Sequence, residues 1–246
     1  MSDLHIDLLI ADAVCAPDYQ AALLDQADRA RVSAAPALAM RTDWQVSRFL
    51  KQQTKAPVLS LSHSHGAALL AAGAYPLPLG VDIEWLRPRD FSALADLSCS
   101  AEERQWLAAR GWRAADYYRL WCTKEALIKA AGLDFPADLP HAGVCRQGGH
   151  AKLHIGGQSG WQGFAGLCGG WALACVWPDW ASPQMRWQYF GTLTHVLDNN
   201  IGNLVIIVCH RKHVFKLFKG VIDDFTDGFL LANTPALQAE FALTPV

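Results

Sequence analysis

Residues 5–11, His-Ile-Asp-Leu-Leu-Ile-Ala, alternate loosely between polar and apolar side chains and predict an opening strand. Residues 18–54 space their apolar side chains as a helical region does, with breaks near Ser33 and Pro36. Within that region Trp44, Val46, Phe49 and Leu50 form a stripe among Arg41, Arg48 and Lys51. The stripe predicts an amphipathic helix over 40–53, ended by Pro57. Residues 58–61 predict a short strand, and 62–66, Ser-His-Ser-His-Gly, a polar turn. Residues 67–74 are apolar throughout, so a strand and a short buried helix both fit. Behind the rigid entry made by Pro76 and Pro78, residues 79–84 predict a further strand.

The second half opens with a helix signal. Ser100 is a good N-cap, and Glu103 three residues on completes a capping box, predicting a helix over 100–110. The clearest helix covers 116–131, with Gly132 at its end and Pro136 shortly after. Residues 143–177 read as strands separated by the glycine pairs at 148–149, 156–157 and 169–170. Helices mixed with short, hairpin-connected strands predict an α+β fold and not a doubly wound parallel sheet. A chain of 246 residues makes one large domain or two small ones.

Composition narrows the function classes. The chain is 52% hydrophobic and 18% charged, which excludes a disordered protein. A net charge of −2 gives no general attraction to nucleic acid or anionic membrane, so neither is expected as a partner and any anion site is local. The longest apolar run, around 204–208, is far short of the roughly 20 residues a membrane span needs. The N-terminus has acids ahead of its apolar stretch and does not read as a secretory signal. Seven cysteines, an odd number with no CxxC spacing, fit reduced thiols in a cytoplasmic protein.

Four groups carry chemistry. Asp82 and Glu84 stand two apart on a strand, so both carboxylates leave one face and Ile83 points the other way. Such a pair offers the hard oxygen ligands that Mg²⁺ takes, although a solvated strand face has the same pattern. The helix over 116–131 is apolar nearly all round towards its end, where its charges are Lys124, Glu125 and Lys129. A buried helix does not carry three charges without partners. A metal ion for Glu125 and an anion for Lys129 would supply two of them. The hydroxyls and imidazole of Ser62, His63 and Ser64 can cradle a phosphate or simply line a polar turn. Arg41 adds a fork-shaped donor suited to phosphate.

Leu79-Gly-Val-Asp-Ile-Glu84, followed about 40 residues later by Trp121-Cys-Thr-Lys-Glu-Ala-Leu-Ile-Lys129, resembles the paired signature of the 4′-phosphopantetheinyl transferases of the surfactin-synthetase-activating type. Leu61-Ser-His-Ser64 is similar to that family's phosphate-contacting segment. Lys55-Ala56-Pro57 stands where the family has Gly-Lys-Pro, without the glycine. The resemblance covers roughly residues 1–190.

It implies a pseudo-twofold pair of α+β halves, here 1–95 and 96–196, with the active site in the cleft between them. Residues 197–246 are an extension outside the resemblance. The implied reaction transfers the 4′-phosphopantetheine arm of coenzyme A to a serine of an apo acyl or peptidyl carrier protein. Holo carrier and adenosine 3′,5′-bisphosphate are the products. By position, Asp82, Glu84 and Glu125 are the implied Mg²⁺ ligands, and Lys129 the lysine on the pyrophosphate. Arg41, Ser62 and His63 are the implied nucleotide-phosphate contacts. Glu103, or Glu102 beside it, is the implied further acid, and either Glu103 or Glu125 is the base that takes the serine proton. A monomer is expected. Two other functions use the same residues: a coenzyme A or nucleotide-binding protein without catalysis, and a Mg²⁺-dependent phosphohydrolase.

Overall fold

The computed structural model describes residues 4–147, 150–193 and 197–201. The stretches 204–209, 210–219 and 223–227 of the extension, and Cys209 with them, lie outside the described residues. The fold is mixed α+β with two sheets. The first sheet has the order β2-β3-β1-β9. In it β1 (His5–Ala11) pairs antiparallel with β3 (Ala67–Ala72) and parallel with β9 (Gln184–Phe190), and β2 (Val58–Ser64) and β9 are the outer strands. The second sheet runs β4 (Gly80–Trp85), β8 (Trp171–Pro178), β7 (Gln158–Cys168), β6 (His150–Ile155) and β5 (Ala142–Gln147). A further strand, β10 (Leu197–Ile201), pairs antiparallel with β7.

Helices cover the outer faces. Helix α1 (Gln26–Ala34) leads to α2 (Thr42–Gln52), which lies on the first sheet. Helices α3 (Phe91–Ser98), α4 (Ala101–Ala109) and α5 (Ala114–Ala131) lie on the second. Strand alternation sorts the core accordingly. Leu9, Leu70 and Ala72 pack against Val46, Phe49 and Leu50 of α2. Leu8, Ile10 and Leu69 meet Ile83, Leu173 and Cys175 between the two sheets. Ala172, Ala174 and Val176 meet Ala126 and Leu127 of α5 on the far side. The layers therefore run α2, first sheet, second sheet, α5. Each fully buried Leu or Ile in them contributes about 1.5–3 kcal/mol through apolar surface removed from water.

Two features of this layering place the chemistry. Strand β4 belongs to the second sheet although it follows the first three strands in sequence, and β9 returns to the first sheet beside β1. Each half of the chain thus lends a strand to the other's sheet. The β4–α5 approach is also unusually close, because a Cβ on Gly80 would overlap the Ala126 carbonyl. Only glycine admits this backbone-on-backbone packing.

Several elements differ from the sequence-based expectation. β2 runs to Ser64, three residues past its expected end, and the turn is reduced to His65 and Gly66. Both have positive φ, 47° and 80°, as a two-residue hairpin loop requires. The polar alternation at 62–64 looks like a turn because the groups that satisfy those hydroxyls lie on β4, twenty residues on. Residues 67–72 are a strand, buried on both faces by α2 and the second sheet. Of the helical region 18–54, only α1, α2 and short 3₁₀ turns are helical. Helix α3 and strand β9 have no counterpart among the expected elements, although Asp90 caps α3 and residues 184–189 alternate polar and apolar, with Met185, Trp187 and Tyr189 facing the core. The capping box at Ser100 and Glu103 is formed on both sides. No helix among the described residues is long and apolar enough to cross a membrane.

Candidate functional site

The DxE pair and α5 meet as the strand geometry requires. Val81 and Ile83 of β4 enter the core between the sheets, so Asp82 and Glu84 point to the opposite face, towards α5. One ligand oxygen from each of Asp82, Glu84 and Glu125 lies within 4.8 Å of the others. Asp82 is 1% exposed, and Glu84 and Glu125 are half-buried. Lys129, one turn beyond Glu125, donates to Asp82 Oδ1 at 2.6 Å and to the Val81 carbonyl at 3.2 Å. It stands 3.7 Å from Glu125 Oε2.

Strand β2 supplies the rest of the wall. Ser62 Oγ donates to Asp82 Oδ1 at 2.7 Å, and Ser64 Oγ donates to Glu84 Oε2 at 2.7 Å. Asp82 Oδ2 is buried with no hydrogen-bond partner among the described residues. A buried carboxylate oxygen left unpaired costs a desolvation penalty that a native structure normally offsets. Three carboxylates meet one ammonium at close range, with the Arg87 guanidinium acting on Glu84 as well, so the cluster is short of positive charge.

The titration behaviour follows from that imbalance. Burial, then the charges of Asp82 and Glu84, push the Glu125 carboxyl up to about 7, against Lys129 and a hydrogen bond from the Trp121 indole. Burial and Asp82 raise Glu84, against the Ser64 hydroxyl. Burial opposes the charge on Lys129, but Asp82 outweighs it through charge and hydrogen bond, and the ammonium sits above its ordinary value. Beneath the cluster, burial followed by Asp82 and Glu84 pushes the Cys122 thiol far up, so it offers no thiolate nucleophile.

The chemistry of the donor set fits a hard divalent cation. It is all oxygen, it is under-compensated, and one of its oxygens has no other partner among the described residues. Asp82, Glu84 and Glu125 are the residues that would hold Mg²⁺. Such an ion neutralises charge on phosphate oxygens when bound.

The other predicted residues fall into two separate groups. His63 points to the opposite face of β2 from Ser62 and Ser64, towards α2. There its Nδ1 lies 3.1 Å from Asp43 Oδ2. Arg41 forks onto the same carboxylate through Nε at 3.1 Å and Nη2 at 2.6 Å. Since a carboxylate only accepts, His63 Nδ1 carries the proton in this contact. Asp43 has no distinguishing sequence signal, because its partner on β2 is twenty residues away.

Glu103 is also apart from the acidic cluster. It is buried at the first turn of α4, where it accepts from Ser100 N–H at 2.8 Å, Val144 N–H at 2.9 Å and Lys124 Nζ at 2.9 Å. The ion pair that satisfies Lys124 therefore comes from the protein. Glu102, its neighbour, is exposed. Lys55, at the place of the family lysine, is exposed as well.

No curated protein matches the chain. Residues 78–176, which span β4, α3–α5, β5–β7 and most of β8, match the family model of the 4′-phosphopantetheinyl transferase superfamily. Asp82, Glu84, Glu103, Glu125 and Lys129 lie inside that match, and Arg41, Ser62 and His63 lie before it.

Proposed function

We propose that the protein transfers the phosphopantetheine arm of coenzyme A to a serine hydroxyl of an apo acyl or peptidyl carrier protein. Adenosine 3′,5′-bisphosphate leaves. The observation that carries this reading is the convergence of Asp82, Glu84 and Glu125 beside Lys129, with Asp82 Oδ2 unpartnered among the described residues, inside the region similar to the superfamily. Phosphoryl transfer is mostly positioning and charge neutralisation, and this cluster offers both.

In this reading Asp82, Glu84 and Glu125 hold Mg²⁺. Lys129 is steered by Asp82 towards the same face and contacts the pyrophosphate. Ser62 orients Asp82, and Arg41 and His63 on the far face of β2 take the nucleotide phosphate. The serine proton passes to a nearby carboxylate, Glu125 or Glu103 by position. The two halves, 1–95 and 96–196, form a pseudo-twofold pair about the coenzyme A cleft, and 197–246 is an accessory extension of a cytoplasmic monomer.

The test is a mass measurement on an apo acyl carrier protein incubated with the protein, coenzyme A and Mg²⁺. A gain of one phosphopantetheinyl arm is expected. Phosphate release from coenzyme A without carrier modification would replace transfer with hydrolysis. Coenzyme A binding with neither outcome would leave a binding protein.

A further inference from the structure

The resemblance offers Glu103 as a base, yet its surroundings suit another task. Its side chain is 3% exposed and that of Lys124 is 1% exposed. Three donors converge on its two oxygens: the Ser100 N–H and Lys124 Nζ on Oε2, and the Val144 N–H on Oε1. A general base has to come within hydrogen-bond reach of the proton it removes. This carboxylate is enclosed by the α4 cap, α5 and β5. The enclosure is tight: a Cβ on Gly143 of β5 would overlap Glu103 Oε1 and press on Lys124 Nζ.

Lys124 directly precedes Glu125 on α5, and successive helix positions diverge by about 100°. Lys124 accordingly points to α4 and β5, where it meets Glu103 and the Ala142 carbonyl, while Glu125 points to β4. A carboxylate at the rim of a helix lies about 6 Å from the axis, so each 10° of helix rotation moves it by about 1 Å. Misplacement on that scale can cost about a hundredfold in rate.

We infer that Glu103 and Lys124 are positioning residues, a buried ion pair that fixes the rotation of α5 and so aims Glu125 at Asp82 and Glu84. This deepens the proposed transferase reading and rests on it. Glu103 then takes no proton from the serine. Its loss acts through the unpaired Lys124 charge, which α5 must rotate to relieve.

The experiment uses Glu103→Gln, Lys124→Met and the double variant, each assayed with coenzyme A, Mg²⁺ and one apo carrier. Mg²⁺ alone is also titrated into each variant against its thermal unfolding. Glu103→Gln is expected to lower kcat at least a hundredfold with little change in carrier KM, and to raise the Mg²⁺ needed for half-maximal stabilisation several-fold. The double variant, which removes both charges, is expected to regain at least tenfold in kcat and most of the Mg²⁺ affinity. A loss that the second substitution leaves unchanged, with Mg²⁺ binding as in the wild type, would make Glu103 the base and overturn the positioning role. Where Glu103→Gln alone does not fold, the double variant decides: transfer within tenfold of wild type supports positioning, and abolished transfer with wild-type Mg²⁺ binding overturns it. A wild-type chain that transfers no arm removes the transferase reading itself, and the Mg²⁺ titrations still report on the aim of Glu125.

Discussion

Two partly buried charge clusters in this molecule look alike in a list of residues and differ in their accounts. Between α1 and α2, Arg48 pairs with Asp28 at 2.8 Å, and Lys51 joins both Asp28 and Asp25. Two acids meet two cations there, and Arg48 also lies 3.5 Å over the Trp44 ring and donates to Ser47. Between β4 and α5, three acids meet one lysine; each cluster leaves one buried polar atom without a hydrogen-bond partner among the described residues, Arg48 Nε in the first and Asp82 Oδ2 in the second. A small cavity of about 190 Å³ adjoins the first cluster, so neither burial nor concavity separates the two. Charge balance does. The balanced cluster ties one helix to another, while the unbalanced one suits the bound cation proposed above.

Cutting into the unbalanced cluster breaks the comparison hardest. Asp82→Ala is expected to lower kcat for arm transfer by at least about a thousandfold, since ligands of one site act as a unit. Adding Glu125→Ala should then cost little more. Single-turnover transfer to one apo carrier measures both. Near-wild-type transfer by Asp82→Ala would show that the imbalance has no catalytic use.

The reverse contrast is in stability. Asp28→Asn leaves the almost fully buried Arg48 without its carboxylate, and losing one partner of such a pair costs about 3–5 kcal/mol. At this chain length that lowers the unfolding midpoint by roughly 6–20 °C. Glu125→Gln removes one of three crowded like charges and should leave the metal-free midpoint level or raise it. Thermal unfolding without Mg²⁺ measures the pair. A larger loss for Glu125→Gln than for Asp28→Asn would reverse the assignment of the two clusters.

The unbalanced cluster could be read from the sequence further than the balanced one, for a physical reason. Asp82 and Glu84 share a face because strand alternation is local, and Glu125 and Lys129 share one because helix periodicity is local. The match of these two faces across forty residues came from the motif resemblance. Contacts without such a pattern escaped the sequence. Lys124 showed only that a buried charge needed a partner. That the partner is Glu103, already occupied in a capping box, depends on how α4 packs against α5. Ser64 looked like turn chemistry because its partner Glu84 lies on another sheet. The exchange of β4 and β9 between the sheets involves pairings as far as 179 residues apart, as at His5 with Gln184, and no local pattern encodes it.

A third cluster tests whether balance is the right variable, because its balance changes with pH. Arg41 and His63 share Asp43, and Arg48 also acts on the ring. With His63 neutral the group has one positive and one negative charge; with His63 protonated it gains a net positive charge suited to an anion. Burial is the largest influence on the ring and lowers its pKa, Asp43 opposes it, and Arg48 and Arg41 add to it. The folded pKa therefore lies below that of the unfolded chain, about 6.5. Above pH 6.5 the ring is neutral in both states and has no effect on stability. As the pH falls through that value the unfolded chain takes up the proton first, so stability declines until the folded ring also titrates. The wild type should lose more of its unfolding midpoint between pH 7.5 and 5.5 than His63→Asn, by the smallest margin of the effects argued here. Adenosine 3′,5′-bisphosphate should narrow that margin, since a phosphate beside His63 offsets the burial that opposes its charge. Parallel curves for the two proteins, with and without the nucleotide, would show that this face of β2 takes no anion.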